Sequence, residues 1–309
     1  LHIAPTDLDV FDPAAYVGHT HVTAPERAAL AALQDLVAKN LELIRTEFGR
    51  FGRQVSGYSM EHLLPENGFD VAKFMAGTEG TLGVILEATV QLVADAPYKT
   101  MIALGYATMA DAADDSPAIL KHRPTAAEGI DRRIVDVVAR QHGAASVPRL
   151  PAGDGWVFVE LVDDDPARLA ERAEFLLTTT SHLGGWVVTD PVEVSALWKI
   201  RADGAGLAGV SLAKPAYAGW EDAAVPPEKL GAYLRDFDAL LIKHGMQGLP
   251  YGHFGDGCVH CRIDFPLDGP DGPGAYRRFV EEAADLVAGY GGSMSGEHGD
   301  GRARSALLP

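Results

Sequence analysis

Within Tyr251-Gly252-His253-Phe254-Gly255-Asp256-Gly257-Cys258-Val259-His260, three glycines fall among ten residues. Glycine reaches φ > 0 and lets backbone approach another group closely, so the stretch reads as a turn with an imidazole on either side. Beyond it, Val259, Cys261 and Ile263 alternate with His260, Arg262 and Asp264, a strand with one apolar and one polar face. Ser295-Gly296-Glu297-His298-Gly299-Asp300-Gly301 repeats the device, adding a carboxylate and a third imidazole on another glycine-rich turn. Two His and one Glu form a ligand set for a divalent metal with an open position, and a spare His beside them can act as a base.

The rest of the chain reads as mixed strands and helices. Thr23-Ala24-Pro25-Glu26 is a capping box with proline in the first turn. Leu30, Leu33, Val37, Leu41, Ile44 and Phe48 follow at three- and four-residue steps, and Gly49 and Gly52 end the helix. Val84 to Leu92, Met101 to Ala107 and Trp156 to Val162 read as strands. Pro166 to Leu177, Glu228 to His244 and Ala275 to Tyr290 have helical spacing, the last closed by Gly291-Gly292. Without a regular βαβ beat the pattern favours an α+β fold over a doubly wound sheet. Asp95-Ala96-Pro97 marks a domain boundary, and residues 111–154 are the least readable part.

With 309 residues there is chain enough for two domains. A net charge of -17 argues against nucleic acid as a partner, since no basic field exists to displace counterions. No apolar run reaches about 18 residues, so no transmembrane segment is expected. No leader-like segment opens the chain, and two cysteines exclude a disulfide scaffold, so the default setting is cytoplasmic. Cys258 and Cys261 form a C-x-x-C on a strand rather than at a helix start, so the sulfurs are expected to pack rather than react. The chain begins at Leu1 and stops at Pro309 directly after a motif, so it reads as a piece of a longer protein.

Two further glycine patterns differ in what they can hold. Gly204-Ala205-Gly206-Leu207-Ala208-Gly209 fits G-x-G-x-x-G, but Trp198-Lys199-Ile200-Arg201-Ala202-Asp203 before it is not the hydrophobic strand a dinucleotide fingerprint needs. Ser56-Gly57-Tyr58 and Gly77-Thr78-Glu79-Gly80-Thr81-Leu82-Gly83-Val84-Ile85 are dense with glycine ahead of a strand. The residues alone leave a bland turn cluster and a backbone cradle for a cofactor equally open. Asp256 and Asp300 read as turn-shaping.

Gly77–Ile85, Tyr251-Gly252-His253-x-Gly255-Asp256-Gly257-x-x-His260 and Ser295–Gly301 occur in this order, and together they resemble the FAD-linked oxidases of the vanillyl-alcohol oxidase type. The branch they resemble holds D-lactate, glycolate and D-2-hydroxyglutarate dehydrogenases. Gly219-Trp220-Glu221-Asp222-Ala223-Ala224-Val225-Pro226-Pro227 and Cys258 are similar to large bacterial members fused to an iron–sulfur region. The resemblance implies the second part of an FAD-binding domain over residues 1–95, its first subdomain absent. It also implies a substrate or cap domain over 96–289, an antiparallel sheet flanked by helices, and a return segment over 290–309.

The resemblance implies FAD held by Gly57, Tyr58, Gly77, Thr78, Glu79, Gly80, Thr81 and Ile85. A divalent metal (zinc, manganese or iron) falls to His253, His260 and Glu297. His298 becomes the base for the substrate hydroxyl, and Arg201, in Trp198-x-x-Arg201, a fork for the substrate carboxylate. The substrate is a small 2-hydroxy acid and the electron acceptor is unspecified. Any iron–sulfur cluster belongs to an absent downstream region, and the setting is cytoplasmic or peripheral to the inner face of a membrane. Where short D-2-hydroxyglutarate enzymes carry a Thr and a Lys for a second carboxylate, this chain has Ala205 and Trp220, so that subsite does not carry over. A metal hydrolase on the same ligands, or a non-catalytic metal-binding module, stands as the alternative.

Overall fold

The protein is described by a computed structural model covering residues 23–85, 88 and 90–308, with Ala205 described by its backbone. It divides into two compact units, Leu1–Ala94 with Glu297–Pro309, and Asp95–Gly296.

In the first unit, helix α1 (Ala24–Lys39) opens on the expected capping box. The Thr23 N–H donates to Glu26 Oε2 at 2.6 Å and the Glu26 N–H to Thr23 Oγ1 at 3.4 Å. The apolar stripe continues past Asn40, but the helix does not; it breaks there and restarts as α2 (Leu41–Glu47). Leu30, Val37 and Ile44 close a small core with Leu63, Leu64 and Phe69, joined by Val71 and Phe74 of α3 (Val71–Ala76).

The strand expected over Val84 to Leu92 is not formed at its described residues, and Leu86, Glu87 and Thr89 lie outside the description. Val84 is 81% and Leu92 87% exposed. Alternation and β-branching favour a strand only where a neighbour takes its N–H and C=O groups and buries one face, and none does so at these residues.

The second unit is built on seven strands: β1 (Tyr98–Tyr106), β2 (Ala126–Asp131), β3 (Gly155–Asp163), β4 (Gly184–Val188), β5 (Tyr217–Ala224), β6 (Gly248–His253) and β7 (Cys258–Ile263). Their order is β4-β1-β3-β2-β6-β7-β5, with antiparallel neighbours throughout. Helices α4 (Met109–Asp114), α5 (Ser116–Leu120), α6 (Arg132–His142), α7 (Pro166–Thr179), α8 (Pro191–Ala202), α9 (Gly204–Gly209), α10 (Leu230–Lys243) and α11 (Gly272–Gly289) complete it. The architecture is therefore α+β, an antiparallel sheet flanked by helices. Met101, Ala103, Trp156 and Phe158 bury one sheet face against Ile134 and Val138 of α6, Leu197 and Ile200 of α8 and Leu207 of α9. Ile102, Leu104, Val157 and Val159 alternate with them and are completely buried on the other face, where α4 and α7 lie against β1 and β3. Each large apolar side chain so removed from water contributes roughly 1.5–3 kcal/mol.

β1, β3, β7, α7, α10 and α11 fall within a few residues of the segments read from sequence. The G-x-G-x-x-G run is helix α9, following α8 with no strand between them, so it lacks the geometry of a dinucleotide loop. Among the described residues no helix is long and apolar enough to cross a membrane.

Candidate functional site

Two glycines bring the polar residues of the second unit together. β6 ends at His253, and the 3-10 turn Phe254–Asp256 closes on Gly257 in the left-handed region at φ 71. A Cβ at Gly257 would lie 1.9 Å from the Val225 carbonyl oxygen, so a side chain there is excluded twice over. On β2, a Cβ at Gly129 would meet the Phe254 ring at 2.4 Å, so the buried Phe254 occupies the room that the missing side chain leaves. β2 then pairs with β6 in the register Glu128↔His253 and Gly129↔Gly252, which sets Glu128 and His253 directly opposite each other.

Glu128 is buried and stands between two partners. Its Oε2 accepts from Arg201 Nε at 2.5 Å and its Oε1 lies 2.9 Å from His253 Nδ1. Burial pushes the Glu128 carboxyl up, but His253 and Arg201 more than reverse that and hold it below its ordinary range. Arg201 reaches this point from the last turn of α8, whose Pro191 start is capped by Asp190 and whose Leu197 and Ile200 anchor it in the core. One terminal nitrogen of Arg201 lies 3.3 Å from His253 Nδ1 and 3.2 Å from Nε2. A point so placed in the ring plane would collide with Cε1, so the guanidinium nitrogen sits over the ring face.

His260 stands opposite Tyr251 on the neighbouring strand, and its ring centroid is 5.4 Å from that of His253, edge to face. His260 Nδ1 is paired with the backbone carbonyl of Glu221. Both imidazoles thus turn Nδ1 toward an acceptor, the arrangement that fixes the tautomer of a metal-bound histidine and presents Nε2. Imidazole donors of this kind suit a divalent ion, though of the two only His260 belongs to the described residues' cluster of metal-type ligand atoms. Next to it, Asp222 is completely buried, and its carboxylate comes within 4.8 Å of a His260 ring nitrogen. Asp222 accepts from Ser295 Oγ at 2.6 Å, while its backbone carbonyl takes the Gly296 N–H at 2.7 Å.

Glu297 and His298 belong to the first unit. His298 Nε2 lies 3.4 Å from Glu297 Oε1, and Glu297 Oε2 accepts from Arg53 at 2.6 Å. The residues assigned to FAD lie in the same unit. Gly77 ends α3, Thr78 is buried with its hydroxyl on the Met75 carbonyl at 3.0 Å, and Tyr58 Oη pairs with Thr81 Oγ1 at 2.7 Å. Glu79 and Gly80 are both left-handed, at φ 51 and 70, and Ile85 is exposed. Glu79 accepts the N–H groups of Asp300 at 2.9 Å and Gly301 at 3.0 Å. Asp300 in turn accepts from Ser56 Oγ at 2.9 Å and the Gly57 N–H at 2.8 Å. Asp300 is therefore turn-shaping, and Glu79 and the Gly57 N–H serve the same clasp. Within it the left-handed Glu79–Gly80 pair suits the close backbone approach of a cofactor's polar part.

Trp220, aligned with the second-carboxylate Lys, is buried with its Nε1 donating to Tyr233 Oη at 3.0 Å, and offers no cation there. Three polar residues of these clusters escape a reading by motif: Glu128, Arg53 and Asp222. Glu128 lies in the 111–154 region, Arg53 in the turn after α2, and Asp222 inside a phrase read for resemblance rather than chemistry. A charged residue flanked by apolar ones on a strand, as Glu128 is in Ala126-Ala127-Glu128-Gly129-Ile130, was the available signal.

Residues 96–309 match the family described as FAD linked oxidases, C-terminal domain. The chain is similar to a D-2-hydroxyglutarate dehydrogenase of Pseudomonas putida, 29% identical over 282 residues, covering 87% of this chain and 28% of that protein. It is similar also to a D-lactate dehydrogenase of Archaeoglobus fulgidus, 30% identical over 261 residues, covering 84% of this chain and 54% of the other. A glycolate oxidase subunit, GlcD of Bacillus subtilis, is 24% identical over 278 residues, covering 89% of this chain and 55% of its own. The chain thus spans under a third of the first relative and about half of the other two.

Proposed function

From the premise that this chain belongs to the FAD linked oxidases through their C-terminal domain, we propose that it is the substrate-side part of a D-2-hydroxy acid dehydrogenase. The enzyme would convert a 2-hydroxy acid of the D-lactate or D-2-hydroxyglutarate class to the 2-oxo acid. The observation that carries this reading is the partly buried group Arg201–Glu128–His253–His260, a guanidinium beside two imidazoles on the interior strands of a fold of this family. An oxidase family disfavours the hydrolase alternative, which has no use for the Gly77–Ile85 clasp.

When bound, FAD supplies the hydride acceptor and a divalent metal the Lewis acid. His253 and His260, both with Nδ1 engaged, are the imidazole ligands; Glu297 is the carboxylate ligand by resemblance. Arg201 has N–H donors beyond the Nε that Glu128 holds, and these orient the substrate carboxylate as a planar fork does. His298, half exposed beside Glu297, takes the proton of the C2 hydroxyl. Tying Arg201 and His253 to one buried carboxylate holds the anion-binding fork and one ligand in a fixed mutual geometry.

His298→Ala in the full-length protein is expected to slow flavin reduction by D-lactate and D-2-hydroxyglutarate about 10²–10⁴-fold, the usual worth of one general base, with FAD retained. Stopped-flow bleaching of the flavin absorbance measures this. Reduction at the unmutated rate would reject His298 as the base, and no reduction of the unmutated protein by any D-2-hydroxy acid would reject the substrate class.

A further inference from the structure

We propose that Glu128 is a positioning residue of this site. One of its oxygens holds Arg201, while the other fixes His253 as the Nδ1–H tautomer and so dedicates Nε2 to a ligand. The idea rests on the functional reading above for what His253 and Arg201 do, but its physical content stands on geometry alone. A carboxylate is expensive to bury unless donors surround it. Glu128 is buried on the central strand β2, and its two oxygens meet two donors, Arg201 Nε at 2.5 Å and His253 Nδ1 at 2.9 Å.

An ionised carboxylate only accepts, so the ring nitrogen facing it carries the hydrogen. In the neutral ring the lone pair then sits on Nε2, as a metal-binding imidazole with a carboxylate behind it requires. The same side chain keeps Arg201 from swinging away, because Nε is anchored while a terminal nitrogen lies over the His253 face. Glu128 owes its place to the register Glu128↔His253, which Gly129 and Phe254 enforce from the adjoining position.

Glutamine is the discriminating substitution. It has the same shape but one acceptor and one donor end, so with its oxygen on Arg201 its N–H₂ faces Nδ1, which can accept only in the opposite tautomer, with the hydrogen on Nε2. With the full-length protein stripped of metal, Zn²⁺ is titrated against a chromophoric chelator. Glu128→Gln is expected to weaken zinc binding about 10–100-fold, the usual effect of losing a partner behind a ligating histidine, while His260→Ala reports whether zinc uses this site at all. A second readout needs no metal: ¹⁵N shifts of labelled histidine, with His253 assigned by its loss in His253→Gln. The unmutated protein should show the Nδ1–H tautomer, and Glu128→Ala should lose it. An unchanged tautomer in Glu128→Ala would overturn the proposal whatever zinc does, as would unweakened zinc binding by Glu128→Gln where His260→Ala abolishes it. If His260→Ala leaves zinc binding intact, the metal reading fails, and the tautomer measurement still decides Glu128.

Discussion

On a β-strand, residues three apart face opposite ways, and Cys258 and Cys261 obey this: neither is in a disulfide, both are buried, and each packs in its own surroundings. Cys258 Sγ points toward Asp222 at 3.6 Å. Burial pushes the Cys261 thiol up to about 12. The thiolate is the reactive form, so near pH 8 its population is lower by about four decades than at its midpoint. Iodoacetamide should therefore leave Cys261 of the native protein unmodified at that pH and label it once denaturant is added. Mass spectrometry of the Cys261 peptide checks this, and fast native labelling would revive a redox or metal role for the C-x-x-C. At the same scale, Asp300 shows how two glycine-rich turns become one object, since its carboxylate ties Ser56 and Gly57 while its own N–H is taken by Glu79.

Elements follow local signals only when neighbours allow it. The Thr23 capping box produces helix α1 because both of its bonds close within four residues, whereas Val84 to Leu92 has strand composition and no pairing at its described residues. The decisive element is the β6–turn–β7 hairpin carrying His253 and His260. Its Gly257 combines φ 71 with a backbone oxygen where a Cβ would stand. Gly257→Ala is expected to destabilise the second unit by about 1–3 kcal/mol or more, from strain at a left-handed position plus displacement of Val225. A urea titration followed by tryptophan fluorescence measures it; an unmoved midpoint would mean that the turn relaxes freely and does not brace the two histidines.

For the whole molecule, the flavin is the test of how much function one stretch of chain can hold. By resemblance only Gly57, Tyr58 and Gly77–Ile85 reach FAD from this chain, and Gly57 already gives its N–H to Asp300. The 309 residues expressed alone should retain substoichiometric FAD by absorbance after gel filtration, and a full equivalent would contradict this. The Thr23 cap, strands β1, β3 and β7 and helices α7, α10 and α11 were legible from the amino acids alone, because each depends on residues a few positions away. The motifs also singled out the side chains proposed above to carry the chemistry, since glycine marks where backbone must bend around them. What only the tertiary structure decided was their company. Glu128 meets His253 across 125 residues and Arg201 across 73, and no spacing within either segment encodes that. Their meeting follows from strand register and from one helix docking on the sheet. Both are set by which faces can be buried together, a property of the assembled core rather than of any local run of residues.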